Sequence, residues 1–379
     1  MKSLIKNAYI VSPDIEIRNG AVLIENGTIA AVFMEGETVP AADHVFDAAG
    51  KMVVPGFIDI HVHGRSGCDF CDGTPEAVVT IADDKLKDGV TSFLGTTLTV
   101  GEPQLTAALQ CAADYMKSPT GAKIAGIHLE GPFINPKCLG AQNPAFVKLP
   151  DIEMVKRLNA VYPIKKVSYA IEVEGALPFT RELLAMGITP SCVHTAASYA
   201  DYEKASQLGL RNLSHFCNQM TPLHHRDIGM VGAGFLHDEA FIELICDKLH
   251  ICPEMIKLVF KVKHADRIQL ITDAMRAAGM PDGTYDLGGM NVTVEGNAAR
   301  LENGALAGST LLYYDGLKNI LEITGRPLSE LIKSTSWNQA QALGLEKLGK
   351  IETGFMADIA VLNNDFSPSA VFVDGVRKL

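Results

Sequence analysis

Eight short apolar segments with strand character alternate with helical sequences, and this alternation restricts the fold more than any other feature of the chain. The segments lie at 56–63, 89–97, 123–131, 165–173, 187–195, 210–218, 240–249 and 267–275. Most of the intervals carry helical patterns such as PEAVVTIADDKLKD and LPFTRELLAM, and several end in a glycine just before the next strand. Strands that alternate with helices form parallel sheets, and eight such units predict a closed (β/α)8 barrel.

The two ends of the chain have a different, β-rich composition. The first ~50 residues hold short strand-like pieces, with Asn26-Gly27 as a hairpin signal. After the eighth segment, residues 281–309 resemble a β-hairpin, helical stretches follow near 309–323 and 328–343, and β-rich sequence returns at 357–363 and 369–375. We predict an α/β protein in which residues 55–353 form a (β/α)8 TIM-like barrel. Residues 1–54 and 354–379 are predicted to form a small β-sandwich domain from both termini.

Composition excludes several classes of function. The formal net charge is −11 and no Lys/Arg-rich run is present, so nucleic acid is not expected as a partner. No segment approaches the ~18–20 apolar residues that span a bilayer, and no secretory signal is apparent, so a cytoplasmic location without membrane association is expected. The eight cysteines are expected to be free thiols. Cys68 and Cys71 form a C-x2-C pair without the second pair of a zinc ribbon, which favours a structural role.

Polar residues fall at or just after the ends of the predicted strands, where a barrel carries its chemistry. His61 and His63 are one residue apart and therefore point to the same face of a strand. A single buried histidine is most often a hydrogen-bonded core residue, but the joint pattern predicts a metal site. The residues in this pattern are His61, His63, His128, Glu130, His194, His215, His250 and Asp273.

The candidate ligands are imidazoles and carboxylates, with no thiolate. This set suits Zn²⁺, which we favour, and also Fe²⁺, Mn²⁺ or Co²⁺. Three protein ligands leave a coordination position for water, whose pKa the metal lowers to about 7. A nearby carboxylate can take the proton of that water and later deliver it to a leaving group. The pattern therefore predicts a metal-dependent hydrolase.

Six motifs occur in order along the chain: PGFIDIHVHG, HLEGPF, VHTAA, MTPLHHR, ITDAM and LAGST. With the β-rich termini, they make essentially the whole sequence resemble the amidohydrolase superfamily and, within it, the N-acetylglucosamine-6-phosphate deacetylases. HxH alone marks only the superfamily, whereas HLEGPF together with HHR and TDAM is specific to the deacetylase branch. The resemblance implies a hydrolase that removes the acetyl group from an amino-sugar phosphate.

The resemblance also implies roles for individual residues. Glu130, His194 and His215 would bind a primary metal, and Asp273 would be the catalytic base and then the catalytic acid. His61 and His63 match the superfamily's first-strand pair, which holds a second metal in some members. Because both are present, two metals per subunit are favoured over one; the alternative is that the pair donates hydrogen bonds to the residues that bind a single metal.

For the substrate, the resemblance implies a binding surface on several loops. Arg226 suits phosphate because its planar guanidinium donates two parallel hydrogen bonds. In this family it can come from the neighbouring subunit, which implies a homodimer, with a higher homo-oligomer as the alternative. His224 is more simply read as a polar loop residue. The implied substrate contacts are Ala141, Gln142, Asn218, Gln219, Arg226, His250, Leu306, Ala307 and Gly308.

Three positions depart from the family pattern, and all lie near the implied substrate site. Gln142 replaces a histidine expected near the acetyl carbonyl, Gln219 replaces an alanine, and Lys248 replaces a glycine. The identity of the sugar is therefore open, with the 4-epimer, N-acetylgalactosamine 6-phosphate, or another N-acetylated sugar phosphate as the alternative. Three rival functions also remain open: a hydrolase of cyclic amides, a deaminase, and a metal-binding scaffold without catalysis.

Overall fold

The computed structural model describes residues 2–379, and these begin with five strands of one mixed sheet. The strands are β1 (Lys2–Ser12), β2 (Ile15–Glu25), β3 (Thr28–Phe33), β4 (His44–Asp47) and β5 (Met52–Pro55). β2 and β3 pair antiparallel, and Asn26 and Gly27 between them have φ angles of 52° and 81°. A tight hairpin turn of this kind needs two residues with positive φ, so the hairpin predicted at Asn26-Gly27 is confirmed.

The central part of the chain forms the barrel. Its strands, with one small ribbon, are β6 (Phe57–Val62), β7 (Gly64–Arg65), β8 (Cys68–Asp69), β9 (Val90–Thr96), β10 (Lys123–Glu130), β11 (Ile164–Tyr169), β12 (Thr189–Cys192), β13 (Asn212–Leu213), β14 (Phe241–Ile245) and β15 (Ile268–Ile271). β7 and β8 form the ribbon, and the other eight make one parallel sheet in the order β6-β9-β10-β11-β12-β13-β14-β15. The predicted (β/α)8 architecture is confirmed.

The barrel closes between β15 and β6 at its C-terminal end. A single parallel bridge joins Val62 to Ala274, and the Asp273 amide donates a hydrogen bond of 2.8 Å to the His61 carbonyl. The two predicted site segments of strands one and eight are thus joined by the hydrogen bonds that close the barrel.

Helices α1–α7 connect the barrel strands. They are α1 (Pro75–Leu86), α2 (Glu102–Tyr115), α3 (Ile152–Val161), α4 (Ala176–Ala185), α5 (Tyr199–Gln207), α6 (Gly229–Leu236) and α7 (Pro253–Val262). The Thr74 hydroxyl caps α1 by accepting from the Ala77 amide, as expected of a helix N-terminus. Gly89, Gly187 and Gly209 follow α1, α4 and α5 with φ angles of 82°, 70° and 111°, which is the predicted glycine stop.

Beyond the barrel strands, the chain forms a three-stranded antiparallel sheet and further helices. These are β16 (Gly283–Leu287), β17 (Met290–Glu295), β18 (Ala298–Leu301), α8 (Tyr313–Thr324), α9 (Leu328–Leu331) and α10 (Trp337–Leu343). The helical stretch predicted at 328–343 is interrupted by a 3-10 turn at Ile332–Thr335. The Ser334 and Thr335 hydroxyls donate to backbone carbonyls three residues earlier, and such bonds compete with a continuous helix.

The last strands return to the first sheet. They are β19 (Ile359–Leu362), β20 (Pro368–Val373) and β21 (Val376–Arg377). β19 pairs antiparallel with β5, so strands from both ends of the chain share one sheet. We propose the limits given above, 55–353 for the barrel and 1–54 with 354–379 for the smaller domain. Residue 1 lies outside the described residues.

Several barrel strands are shorter than predicted. β12, β13 and β15 end at Cys192, Leu213 and Ile271, whereas the apolar segments run to 195, 218 and 275. His194, His215 and Asp273, predicted to lie within these strands, therefore lie two residues past their ends. Their φ angles are 42°, 30° and 49°, and residues in this left-handed region cannot continue an extended strand.

A buried ion pair links α1 to the interior of the barrel, and its loss should destabilise the fold. Lys85 Nζ lies 2.7 Å from Asp59 Oδ2 and 3.6 Å from Asp88 Oδ2, and all three side chains are buried. Thr272 donates to the same Asp59 oxygen at 2.6 Å, so the pair also holds the strand before Asp273.

We expect Lys85→Met to lower the free energy of unfolding by about 3–5 kcal/mol, because the buried Asp59 carboxylate loses its cation and Asp88 keeps only Arg65, at 2.9 Å. Lys87→Met is the control: Lys87 is 60% exposed and pairs only with Asp84, so a change within about 1 kcal/mol is expected. Denaturant unfolding of both variants measures the difference. Equal stabilities would contradict the assignment of this pair as a core element.

Candidate active site

Most of the predicted site residues line a cavity of about 250 Å³ at the C-terminal mouth of the barrel. Two groups of possible metal ligands meet there, His61, His63 and Asp273 in one and Glu130, His194 and His215 in the other. Within each group the ligand atoms lie within 4.8 Å of one another. Five strand ends thus bring their polar side chains to one place, as expected when parallel strands end at the same rim.

The Glu130 carboxylate belongs to the second group and also contacts both histidines of the first. Its Oε1 is 3.2 Å from His61 Nε2, 3.4 Å from His215 Nε2 and 3.8 Å from His194 Nε2. Its Oε2 is 3.2 Å from His63 Nε2. Glu130 ends β10, and a carboxylate placed among four imidazoles can bridge two cations or hold one.

Three of the candidate ligands owe their position to left-handed backbone. The chain turns immediately after the strands that precede His194, His215 and Asp273, and each side chain reaches the mouth of the barrel. The turn at Asp273 is held by its carbonyl, which accepts from the Ser309 amide at 2.7 Å. The Thr272 carbonyl accepts from the Ser309 hydroxyl at 2.6 Å. The LAGST motif therefore supports the backbone of Asp273.

Several buried polar atoms of the cluster have no hydrogen-bond partner, and this fits a cation. His61 Nε2 and Glu130 Oε1 are both buried and unpartnered although they face each other at 3.2 Å. His194 Nδ1 donates to the Cys138 carbonyl at 2.7 Å, which leaves a lone pair on its Nε2, only 3.3 Å from His215 Nε2. Buried lone pairs that converge in this way are costly unless a cation binds them.

Burial and the close approach of charged groups shift the pKa values of the residues in the cluster. Burial lowers the pKa of His61, but the Glu130 and Asp273 carboxylates more than offset this and raise it to about 9. Burial raises the pKa of Asp273, but His61 and His63 outweigh it and bring the pKa to about 2. Burial, followed by His215, lowers the pKa of His194 to about 4. At neutral pH Asp273 is therefore ionised and His194 is neutral, as a base and a ligand must be.

Most of the predicted substrate contacts line the cavity. Those that do are Ala141, Gln142, Asn218, Gln219, His250, Leu306 and Gly308, together with Leu98, Gly140, Leu287 and Ala305, which the sequence did not single out. Ala307 is buried beside them without lining the cavity. A Cβ added at Gly140 would lie 3.2 Å from His194 Cε1 and from Gln219 Cγ, which is a tight contact, and the φ of 55° at this position also favours glycine.

Other predicted contacts lie elsewhere within the described chain. Arg226 and His224 are exposed, neither lines the cavity, and the Arg226 guanidinium lies 2.6 Å from His225 Nε2. Lys248, expected near the same site, pairs with Glu322 at 3.1 Å and lines a neighbouring depression. The ring of His250, two residues later, is held by Asp247 at 2.6 Å.

Gln142 and His128 have partners that the sequence did not indicate. The Gln142 side-chain NH2 donates to Glu130 Oε2 at 2.9 Å and so holds the candidate ligand Glu130, while the Gln142 side-chain oxygen accepts from the Thr99 amide at 2.8 Å. His128 is fully buried and its Nε2 lies 2.7 Å from the Ser168 hydroxyl. His128 is thus the hydrogen-bonded core histidine that an isolated histidine most often is.

Sequence reasoning missed two charged residues inside the barrel, Glu243 on β14 and Lys166 on β11. Both are buried and form an ion pair with each other, and Glu243 Oε2 lies 3.0 Å from His61 Nδ1. A signal was available for Glu243, the one charged residue of the strand FIELI, where charge is costly without a partner. Lys166 stands beside Lys165 and Ser168 in IKKVSY, so its strand gave no such signal.

Comparisons with known proteins agree with this geometry. The profile of the Amidohydrolase family matches residues 52–378, which is most of the chain. The chain belongs to the amidohydrolase family. An N-acetylglucosamine-6-phosphate deacetylase of Lysinibacillus sphaericus is 37% identical over 339 residues, covering 87% of this chain and 88% of that protein.

Two further relatives of this amidohydrolase differ in the substrate that they are named for. An N-acetylgalactosamine-6-phosphate deacetylase of Escherichia coli O157:H7 is 36% identical over 356 residues, covering 93% of both chains. The crystal structure of N-acetylglucosamine-6-phosphate deacetylase from Thermotoga maritima superposes with a TM-score of 0.90 at 35% identity, covering 99% of both chains. Among the described residues of this amidohydrolase, no helix combines the length and apolar character that crossing a bilayer requires.

The rival activity on cyclic amides would need a carboxylated lysine as the metal bridge. Lys166 is a lysine on the fourth barrel strand, and it is already paired with Glu243 inside the core. Glu130 stands where a bridge would act, between the two ligand groups. The arrangement therefore favours a carboxylate-bridged site.

Proposed function

We propose that this amidohydrolase removes the acetyl group from N-acetylglucosamine 6-phosphate, giving glucosamine 6-phosphate and acetate. The observation that carries the proposal is the Asp273 carboxylate beside the Glu130, His194 and His215 group, both lining one cavity. Relatives at 36–37% identity that carry the deacetylase name support the assignment.

The site residues divide the reaction between them. A divalent metal held by Glu130, His194 and His215 would polarise the amide carbonyl and lower the pKa of water to about 7. Asp273, ionised at neutral pH, takes the proton of the attacking water and then gives it to the nitrogen of the leaving amine. Gln142 fixes the orientation of Glu130 through its hydrogen bond of 2.9 Å.

The remaining polar residues of the cavity are suited to hold the sugar phosphate. Asn218 and Gln219 offer side-chain amides that donate hydrogen bonds, and both line the cavity. His250 also lines it, and the Asp247 carboxylate at 2.6 Å from its Nδ1 leaves Nε2 for a ligand. The exposed Arg226 is proposed to serve a neighbouring subunit of a homodimer.

The 4-epimer, N-acetylgalactosamine 6-phosphate, is the second candidate substrate. Gln219 lines the cavity at the position where the family pattern has alanine. The cavity beside the sugar is therefore narrower and more polar here than the family pattern implies. The relative named for the galacto substrate is 36% identical over 93% of both chains.

The ligand set and the fold support three finer assignments, which belong to the same proposal. Zinc is the favoured metal, with iron, manganese or cobalt as alternatives, because the ligands are imidazole and carboxylate. A homodimer and a cytoplasmic location accord with the exposed Arg226 loop and the composition of the chain.

The test is acetate release from both 6-phosphorylated N-acetylhexosamines by protein of measured metal content. The expected result is turnover of the gluco substrate with higher kcat/KM than the galacto substrate. The reverse order would replace the first assignment by the second. Acetate release from neither, or ammonia in place of acetate, would contradict the deacetylase assignment.

A further inference from the structure

Glu243 contacts the rear side of His61, away from the cavity. Its Oε2 lies 3.0 Å from His61 Nδ1 and also accepts from the His215 amide at 3.2 Å. Glu243 is 1% exposed and comes from β14, on the interior of the barrel. A carboxylate can only accept, so His61 Nδ1 carries a hydrogen, and Nε2 is the ring nitrogen that remains to bind a metal in the cluster.

Lys166 holds the other oxygen of the same carboxylate. Its Nζ forms a hydrogen-bonded ion pair with Glu243 Oε1, and Lys166 is 1% exposed. The ammonium group neutralises a carboxylate that would otherwise be the third in a small volume, with Glu130 and Asp273. With Oε1 engaged in this way, Oε2 remains directed at His61 and the imidazole ring has one orientation.

The orientation matters because His61 Nε2 is directed into the ligand cluster. It lies 3.2 Å from Glu130 Oε1 and 3.6 Å from Asp273 Oδ1, and it has no hydrogen-bond partner. A carboxylate behind a histidine fixes the tautomer and raises the basicity of the ligand nitrogen, and changes in such partners typically alter metal affinity.

We propose that Glu243, held by Lys166, is a positioning residue that fixes His61 as an Nε2 metal ligand. The inference rests on the proposed metal-dependent function, because it concerns the same site. The buried ion pair of Lys166 and Glu243 would then contribute to metal binding as well as to stability. A purely structural ion pair would affect stability but leave metal affinity and the His61 tautomer unchanged.

The test replaces the pair without leaving a buried charge unpaired. Lys166→Met with Glu243→Met removes the acceptor behind His61, and hydrophobic replacement of a complete buried pair is often neutral for stability. Lys166→Met with Glu243→Gln is the conservative partner, because an amide oxygen still accepts from His61. Ser191→Ala is the control, since Ser191 is buried in the same barrel and bonds only to the Ser214 hydroxyl at 2.8 Å among the side chains.

Zinc affinity is measured by competition with a chelator in the full-length protein, and the His61 tautomer by NMR of protein with ¹⁵N-labelled histidine. In wild type and in Ser191→Ala, His61 is expected as the Nδ1–H tautomer with two zinc equivalents. In the Met/Met variant the weaker equivalent is expected to bind about 10–100-fold less tightly and the single tautomer to be lost. The zinc affinity of the variant with Lys166→Met and Glu243→Gln should lie between that of wild type and that of the variant with methionine at both positions. If the variant with two methionines does not fold, the affinity of the variant with glutamine tests the role of Glu243.

Two results would overturn the inference. One is wild-type zinc affinity in the variants, and the other is an Nε2–H tautomer of His61 in the wild type. Acetate release measured on the same wild-type sample separates the two proposals. If wild type releases acetate while the variants keep wild-type affinity, only the role of Glu243 fails. If wild type binds zinc but releases no acetate, only the proposed reaction fails.

Discussion

Asp273→Asn is expected to reduce acetate release by about 10²–10⁴-fold, the range that a general acid–base residue typically contributes. Asparagine has the same shape but cannot take or deliver the proton that the reaction moves. It is also among the residues that adopt left-handed backbone readily, so the φ of 49° at this position should persist. The substitution therefore removes the chemistry of the carboxylate with little change in geometry.

Metal content separates this role from a role as metal ligand. We expect Asp273→Asn to retain the equivalent bound by Glu130, His194 and His215, measured by elemental analysis after desalting. Asp114→Asn serves as the control, because Asp114 is an exposed residue of α2 paired with Lys117. Near-normal turnover in Asp273→Asn would rule out Asp273 as the group that moves the proton.

Glu130→Gln is expected to cost the protein most of its bound metal and more than a hundredfold in turnover. Glu130 lies within 3.8 Å of four histidine nitrogens, so its charge serves both ligand groups. Outer partners of metal ligands already change affinity or activity by about 10–100-fold, and loss of a ligand shared by both groups should exceed that.

The protein should remain folded after this change, because the amide of glutamine has nearly the same volume as the carboxylate. Circular dichroism of Glu130→Gln checks this, and elemental analysis gives the metal lost. Glu153→Gln is the control, since Glu153 is an exposed residue of α3 whose side chain pairs only with Lys156. Full metal content in Glu130→Gln would mean that the histidines suffice without a carboxylate bridge.

The sequence alone was enough for the architecture and for the members of the ligand cluster. Strand periodicity places His61 and His63 on one face, and alternation of strands with helices brings successive strand ends to one rim. The first argument uses only neighbouring residues and the second uses only the order of the segments, so neither needs the tertiary structure. They also distinguished His128 poorly from the ligands, because a core histidine and a ligand produce the same local pattern.

Tertiary structure decided how these residues meet. The strands end two residues before His194, His215 and Asp273, and a change in backbone φ brings their side chains into the cluster. Apolar sequence continues past each strand end, because the loops at the barrel mouth are themselves buried. Hydrophobicity therefore could not show where the strands end.

The partners of the ligands were likewise hidden from the sequence. Glu243 meets His61 across 182 positions of the chain and Lys166 across 77. Lys248 and Arg226, placed near the substrate by their motifs, turn towards Glu322 and the exterior of the chain. Periodicity reports which face a side chain occupies, whereas its partner depends on rotamers and on distances between distant strands. Those distances exist only once the barrel has closed.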